Sequence, residues 1–135
     1  IMNIPTNLKY STDHEWVKID GNIATIGITD FAQSQLGDIV FVDIQTEGES
    51  LNKGETFGAI EAVKTVADAL MPISGKVIEV NSELESNPEM VNSHPYDEGW
   101  MIKIEMSDPS EANSLMDAKA YEGICKQSFP RCYYR

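Results

Sequence analysis

Short runs of alternating apolar and polar residues, each bounded by turn residues, occupy most of the chain up to Met106. Asp20-Gly21, between two of these runs, is a pair typical of a tight hairpin turn. The pattern predicts strands over residues 15–19, 23–28, 39–44, 56–63, 65–70, 76–80 and 100–106. Trp16 and Trp100 lie within these runs and are predicted to fill the core. Many short consecutive strands indicate a small, mostly antiparallel barrel or sandwich.

A short internal helix is predicted between two of the strands. Thr29 can act as its N-cap, with Asp30 in the first turn. The helix should end at Leu36, because Gly37 can adopt the left-handed conformation of a C-cap. Residues 81–99 are rich in Asn, Ser, Pro and Glu, and they are predicted to form a long loop.

A second helix is predicted near the C-terminus, starting at Asp108. The run Asp-Pro-Ser-Glu supplies a cap, a proline at the first helical position, and Glu111 reaching back to the cap. The helix should end near Gly123, and its apolar stripe consists of Ala112, Leu115, Met116 and Ala120.

The chain is strongly acidic, since 22 Asp and Glu residues against 10 Lys and Arg give a net charge of -12. Such a charge repels phosphate backbones and anionic lipid headgroups, so we expect neither nucleic acid nor a membrane as a partner. No stretch approaches the roughly 20 apolar residues of a membrane-spanning helix. The N-terminus also lacks the pattern of a signal peptide. We therefore expect a soluble monomer.

A chain of 135 residues can bury one sizeable core. We expect one domain over residues 1–123 and a C-terminal tail over residues 124–135. The tail contains three basic residues and no acidic one, a break in charge that suggests added, non-native residues. Cys125 and Cys132 match neither a redox Cys-x-x-Cys pair nor a zinc site, and they indicate a reducing compartment.

Motifs of the common enzyme classes are missing from the sequence. His14 and His94 are far apart, without a Gly-x-Ser-x-Gly elbow or a His-Glu-x-x-His helix. Asp43, Glu47 and Glu49 do not follow the spacing of a calcium loop, and no glycine-rich phosphate loop occurs. We therefore expect no catalytic residue, no bound metal and no nucleotide.

Lys64 is predicted at the tip of the hairpin formed by residues 56–63 and 65–70. On position alone it is an ordinary solvated lysine. The residues around it, Glu61-Ala62-Val63-Lys64 followed by Asp68 and by Pro72-Ile73-Ser74-Gly75, resemble the modification hairpin of lipoyl and biotinyl carrier domains.

Those carrier domains attach their cofactor to the tip lysine. The resemblance therefore implies that Lys64 is modified and that the modifying enzyme recognises Glu61. A biotinyl domain is the less favoured alternative, because its tip usually has the sequence Met-Lys-Met, whereas Lys64 lies between Val63 and Thr65.

Five further stretches are similar to the glycine cleavage H-protein family: residues 9–17, 26–30, 37–42, 92–96 and 99–104. The resemblance extends in order over about residues 3–123. It implies a mostly β barrel-sandwich hybrid with a short internal helix and a C-terminal helix. It also implies that lipoate is joined to Lys64 by an amide bond, and that Glu15, Asp68 and Gln35 line a cleft for the lipoyl arm.

In that family the lipoylated protein is a carrier and not an enzyme. The glycine decarboxylase P-protein loads the aminomethyl group of glycine onto the arm, and the aminomethyltransferase T-protein passes its carbon to tetrahydrofolate. The dihydrolipoyl dehydrogenase L-protein then reoxidises the arm. The resemblance implies these three partners and a lipoylating enzyme. A tethered arm supplies an effective concentration that free lipoate would lack.

Three positions depart from the family's usual pattern. Ala62 stands where Ser is usual, Val66-Ala67 replaces a small polar pair, and Gln35 occupies a position where many members have His. We expect the first two changes to alter the surface recognised by the lipoylating enzyme, and the third to alter the wall of the cleft.

Two other functions remain open, namely relay of lipoyl groups to other domains and an unmodified interaction protein. A relay would use the same Lys64. The expected location is the bacterial cytoplasm, or the mitochondrial matrix if the source is eukaryotic.

Overall fold

The computed structural model describes residues 3–133, with side chains described for residues 3–125. Within this range, the chain forms nine strands and four α-helices. The strands are β1 (Lys9–Tyr10), β2 (Glu15–Asp20), β3 (Ile23–Ile28), β4 (Ile39–Asp43), β5 (Ser50–Leu51), β6 (Thr56–Ala62), β7 (Val66–Leu70), β8 (Gly75–Val80) and β9 (Ile102–Met106). The helices are α1 (Asp30–Leu36), α2 (Glu83–Ser86), α3 (Met90–Ser93) and α4 (Ala118–Tyr133). No helix in the described range is long and apolar enough to cross a membrane.

The strands form two antiparallel sheets. The larger has the order β1-β2-β3-β9-β8-β5, and the smaller has the order β4-β6-β7. The prediction of a mostly β, mostly antiparallel sandwich is therefore confirmed. β1 and β5, of two residues each, were not predicted, because runs so short carry no periodic signal.

The main core lies where the inward faces of the two sheets meet. On β3, Ala24 and Ile26 are buried and pair directly with Ile104 and Ile102 of β9. Directly paired residues point to the same face of a sheet, so the two strands present one continuous apolar surface. Residues of the smaller sheet complete this core, including Val42, Phe57, Ile60 and Ala69.

A second apolar cluster lies under helix α4. Its buried members are Leu8, Tyr10, Trp16, Phe31, Ala118, Tyr121 and Cys125. The rings of Tyr10 and Tyr121 are stacked with their centroids 4.7 Å apart. A Cβ atom at Gly27 would lie 2.7 Å from Trp16 Nε1, so the indole ring requires glycine at that position. Trp16 is a core residue as predicted, whereas Trp100 is only half-buried.

The predicted short helix is confirmed at both ends. The Thr29 side chain accepts a hydrogen bond from Ala32 N–H, as an N-cap does. Gly37 follows the helix with φ +82°, and its N–H donates to Gln33 O. The long loop over residues 81–99 contains two single-turn helices, α2 and α3.

The prediction of one continuous helix from Asp108 to Gly123 is wrong. Asp108 does accept a hydrogen bond from Ser110 N–H, but the helix that it caps is a short 3-10 helix, Pro109–Ser114. The chain is then extended at Leu115, and Met116 pairs with Tyr10 through two backbone hydrogen bonds of 2.8 Å. This pairing between Met116 and Tyr10 interrupts the helix that the apolar stripe predicted.

The side chain of Glu111 has a partner other than the predicted cap. Its carboxylate accepts hydrogen bonds from Ser74 N–H (2.7 Å) and from the Ser74 hydroxyl (3.2 Å). A tertiary contact has therefore replaced the expected capping box. The end predicted near Gly123 is also wrong, because α4 continues to Tyr133.

Candidate functional site

Lys64 lies at the tip of the hairpin between β6 and β7, as predicted. The hairpin is closed by Ala62 N–H donating to Thr65 O at 2.8 Å. Lys64 is exposed, and its neighbour Val63 is 74% exposed. The amine is thus presented on a tightly closed turn that a second protein can approach.

The loop between α1 and β4 supports this tip. Val63 N–H donates to Asp38 O at 3.0 Å. A Cβ atom at Gly37 would lie 3.4 Å from Lys64 Cε and 3.9 Å from Nζ, so the lysine stem passes close to the Gly37 backbone. Gly37 therefore both ends α1 and leaves room for the lysine side chain.

Asn92 ties this loop to the rest of the molecule through three hydrogen bonds. Its side-chain amide donates to Gly37 O (2.9 Å) and to Gln33 Oε1 (2.8 Å), and its Oδ1 accepts from Ile39 N–H (2.9 Å). We did not predict this role, since Asn92 lies in an irregular loop far from Lys64 in sequence. An asparagine inside a family-like stretch was the one available signal.

A cleft of about 340 Å³ begins beside the last turn of α1. The residues that line it are mainly apolar: Ile28, Phe31, Ala32, Leu36, Ile60 and Ala67, together with Asp13, His14, Glu15, Gln35 and Asp68. Since Leu36 lines the cleft and Gly37 contacts Lys64, the cleft and the hairpin tip are adjacent. An apolar cleft with a few polar groups is typical of a ligand site.

Glu15 is the buried acid of this cleft, with 2% of its surface exposed. The Ser11 hydroxyl donates to its Oε1 (2.6 Å), and Leu70 N–H donates to its Oε2 (3.4 Å). Burial is the main cause that raises the pKa of Glu15 to about 8, with the charge of Asp13 adding to it and the two hydrogen bonds opposing it. At neutral pH the carboxyl is therefore mainly protonated.

The cleft also brings Asp68 and Gln35 together with Glu15, as the family resemblance implied. Asp68 lies on β7, an edge strand of the smaller sheet, and its carboxyl is exposed. Gln35 lies in the last turn of α1 and lines the cleft together with Phe31, Ala32 and Leu36 of the same helix. The carboxyl groups of Glu15 and Asp68 thus differ, because Glu15 is buried and Asp68 is exposed.

His14 also lines the cleft. It is a non-glycine residue with φ +68°, in the left-handed region that such residues rarely adopt. Its Nδ1 lies 2.8 Å from the Tyr121 hydroxyl, and its ring centroid lies 4.8 Å from that of Phe31. Burial lowers the pKa of His14, with Asp13 opposing the shift.

Among residues 3–125 no group of His, Cys, Asp or Glu side chains is arranged to bind a metal ion. The site combines a lysine on a hairpin tip with an adjacent cleft that is lined mainly by apolar residues and by three acidic ones, Asp13, Glu15 and Asp68. The sequence profile of a known family, described as glycine cleavage H-protein, matches residues 8–128 of the chain.

The chain belongs to the glycine cleavage H-protein family.

Relatives of this family cover nearly the whole chain. A glycine cleavage system H protein from Bacteroides thetaiotaomicron is 57% identical over 123 residues, which are 91% of this chain and 98% of that protein. The corresponding protein from Bacteroides fragilis is 53% identical over 123 residues, with the same coverage. The crystal structure of a glycine cleavage system H protein from Mycobacterium marinum superimposes with a TM-score of 0.81 at 35% identity, covering 89% of this chain and 97% of that one. The predicted barrel-sandwich fold is confirmed.

The structure also locates the residues in which this family member departs from the expected pattern. Ala62 is 8% exposed and points into the fold, so the expectation that it alters the recognised surface is wrong. Val66 is exposed and does alter the hairpin surface. Ala67 and Gln35 line the cleft. Glu61 lies apart from the cleft, on the outer face of the hairpin, in register with Phe41 and Val66.

Proposed function

We propose that this protein is the lipoyl-carrying shuttle of a glycine cleavage system, with lipoate joined to Nζ of Lys64 by an amide bond. The observation that carries the proposal is the exposed lysine on a closed hairpin, adjacent to an apolar cleft, in a member of this family. The partners are the glycine decarboxylase P-protein, the aminomethyltransferase T-protein, the dihydrolipoyl dehydrogenase L-protein and a lipoylating enzyme. The carrier is monomeric, and the bacterial relatives support a cytoplasmic location.

The residues of the site fit a lipoyl group. Its hydrocarbon chain matches the apolar walls formed by side chains such as Phe31, Leu36 and Ile60. Its attachment point, Lys64, adjoins the cleft through Leu36 and Gly37. When bound, lipoate supplies a disulfide that accepts the aminomethyl group of glycine and is later regenerated from the dithiol.

Glu15 and Asp68 are proposed to face the amine end of the cargo. Asp68 is exposed and presents a carboxylate at the mouth of the cleft. Glu15 is buried and mainly protonated at neutral pH, because its pKa is raised to about 8. A cation that enters the cleft favours the ionised form of Glu15, so docking would release the proton from its carboxyl oxygen. Gln35 forms part of the α1 wall of the cleft, and Glu61 is proposed as the contact for the lipoylating enzyme.

The proposed attachment site is tested by the intact mass of the protein from cells supplied with lipoate. The parent should carry one lipoyl group, located by peptide mapping on Lys64, and Lys64→Arg should carry none. Lys53→Arg is the matched control, because Lys53, like Lys64, is an exposed lysine in a turn. A lipoyl group on a different lysine, or biotin on Lys64, would contradict the assignment.

The role in glycine cleavage is tested separately from the modification. Lipoylated protein should support glycine decarboxylation and methylene transfer with the P-, T- and L-proteins, and Lys64→Arg should not. If the lipoylated protein instead passes its lipoyl group to other lipoyl domains and fails in the glycine assay, the relay function is correct.

The proposed role of the cleft is tested by hydrolysis of the loaded arm. Water converts the aminomethyl thioether into the thiol, formaldehyde and ammonium, and a cleft that excludes water should slow this reaction. Ammonium release without T-protein should be faster in Glu15→Gln and in Asp68→Asn than in the parent, with equal lipoylation. Equal rates in all three proteins would show that these residues do not shield the cargo.

A further inference from the structure

The hydroxyl group of Tyr121, on helix α4, contacts two segments of the chain that contribute residues to the cleft. Its oxygen is 2.6 Å from Thr29 Oγ1 and 2.8 Å from His14 Nδ1. The side chain is fully buried. Tyr121 does not line the cleft itself, but both of its partners belong to segments that do.

Thr29 connects the hydroxyl to the α1 wall. It is the N-cap of α1, and its Oγ1 accepts from Ala32 N–H at 3.2 Å. The helix that starts there contributes four cleft residues, namely Phe31, Ala32, Gln35 and Leu36. The position of Thr29 therefore sets where this wall begins.

His14 connects the hydroxyl to the Glu15 wall, because it directly precedes Glu15 in the chain. Its backbone is in the left-handed region, a conformation that persists in a non-glycine residue when the surroundings stabilise it. Two contacts do so: His14 O accepts from Thr29 N–H at 3.0 Å, and His14 Nδ1 contacts Tyr121.

The distances allow a continuous series of hydrogen bonds from Thr29 through Tyr121 to His14. Since Thr29 Oγ1 accepts from Ala32, its own hydroxyl proton can donate to Tyr121, and the Tyr121 proton can then donate to His14 Nδ1. This order requires a neutral His14 with its proton on Nε2. The lowered pKa of His14 agrees with that state.

We propose that Tyr121 is a positioning residue of the cleft, whose hydroxyl sets the spacing between the α1 wall and the Glu15 wall. Through it, helix α4 determines how well the cleft excludes water from the cargo. This inference rests on the proposed function, because it assumes that the arm docks in this cleft.

Tyr121→Phe isolates the effect of the hydroxyl, since the ring and its stacking on Tyr10 are retained. Tyr10→Phe is the matched control. Tyr10 is fully buried in the same cluster and stacks on the same ring, but its hydroxyl donates to Pro5 O, away from the cleft. If the two tyrosines acted only by packing, the two variants should give similar results in both measurements described below.

The first measurement uses the unmodified proteins and needs no arm. Carbon NMR should follow the titration of the Glu15 carboxyl, which reports the access of water to the cleft wall. In Tyr121→Phe we expect its midpoint to fall by about one unit, as desolvation is relieved, while Tyr10→Phe keeps the midpoint of the parent. Unchanged midpoints in both variants, or equal shifts in both, would overturn the proposal.

The second measurement uses the loaded, lipoylated proteins without T-protein. Ammonium release should be several-fold faster in Tyr121→Phe than in the parent and unchanged in Tyr10→Phe. If the parent cannot be lipoylated or loaded, the proposed function fails, and the titration of Glu15 still decides the role of Tyr121. Equal release rates in the two variants would show that α4 has no specific effect on the cleft.

Discussion

The raised pKa of Glu15 makes the stability of the fold depend on pH in a direction that can be calculated. The ordinary pKa of the carboxyl is 4.5, and burial raises it to about 8 in the folded state. The folded protein therefore retains a proton over a range of pH in which the unfolded chain has lost it. This contribution to stability is fully present below pH 4.5 and is lost as the pH rises through about 8.

The magnitude follows from linkage. One pKa unit corresponds to about 1.4 kcal/mol. Between about pH 5 and about pH 9, the difference between the two pKa values reduces the free energy of unfolding by about 4 kcal/mol. Solvent screening is small for this residue, since 2% of its surface is exposed.

Glu15→Gln is the perturbation that removes this titration. Glutamine has nearly the shape of a protonated glutamate and can still accept one of the two hydrogen bonds from Ser11 and Leu70. Urea unfolding from about pH 5 to about pH 9, followed by the fluorescence of buried Trp16, gives the free energy of unfolding at each pH. The parent should lose about 4 kcal/mol more than the variant over this range.

Most other titratable groups are present in both the parent and Glu15→Gln, so their contributions to the pH dependence of stability cancel in the comparison. His14, with its lowered pKa, contributes a slope of opposite sign at lower pH, but it is present in both proteins. Glu105→Gln is the control, because Glu105 is an exposed carboxylate on β9. Parallel curves for the parent and Glu15→Gln would refute the reasoning, and would mean that Glu15 is ionised in the fold at neutral pH.

Three further outcomes are expected. Gly37→Ala should cost about 1–2 kcal/mol of unfolding free energy, because alanine is strained at positive φ. It should also slow lipoylation of Lys64, which contacts the new methyl group, and mass spectrometry over time measures this rate. Asn92→Ala should cost about 1–3 kcal/mol, because it removes three part-buried hydrogen bonds and leaves the N–H of buried Ile39 unpaired, and it should speed amide exchange at the hairpin tip. Deleting residues 124–135 should lower the melting temperature, because it removes the fully buried Cys125; an unchanged melting temperature would support the domain boundary predicted at residue 123.

The deletion bears on a prediction that stays open, namely the boundary of the domain at residue 123. Helix α4 passes through this position, and the family profile extends to residue 128. Phe129, Tyr133 and Cys132 lie outside the residues whose side chains are described. The melting temperature after the deletion therefore decides whether the domain ends at residue 123.

Local rules were sufficient for the parts of the fold that depend on neighbours in sequence. Alternation predicted the longer strands, because side chains of a strand point to opposite faces whatever its partners are. Thr29 and Gly37 predicted both ends of α1, because caps are formed within a few residues. The position of Lys64 on the β6–β7 turn followed from two adjacent strand patterns.

Tertiary structure decided the features that depend on residues far apart in the chain. The C-terminal helix is interrupted because Met116 pairs with Tyr10, and Glu111 bonds to Ser74 instead of its own cap. Neither partner could be recognised from periodicity, since pairing energy comes from groups that only the fold brings together. The same reason explains why β1 was not predicted.

The candidate site also combines features that the sequence determines with features that depend on the tertiary structure. The resemblance of the sequence to its family pointed to the residues that are proposed to carry the chemistry, namely Lys64, Glu15 and Asp68. The tertiary structure decided their state, since packing buried Glu15 and raised its pKa while Asp68 remained exposed. Burial is a property of the surrounding atoms and not of the residue itself. For that reason the sequence specifies the identity of Glu15 and Asp68, whereas their different burial depends on the fold.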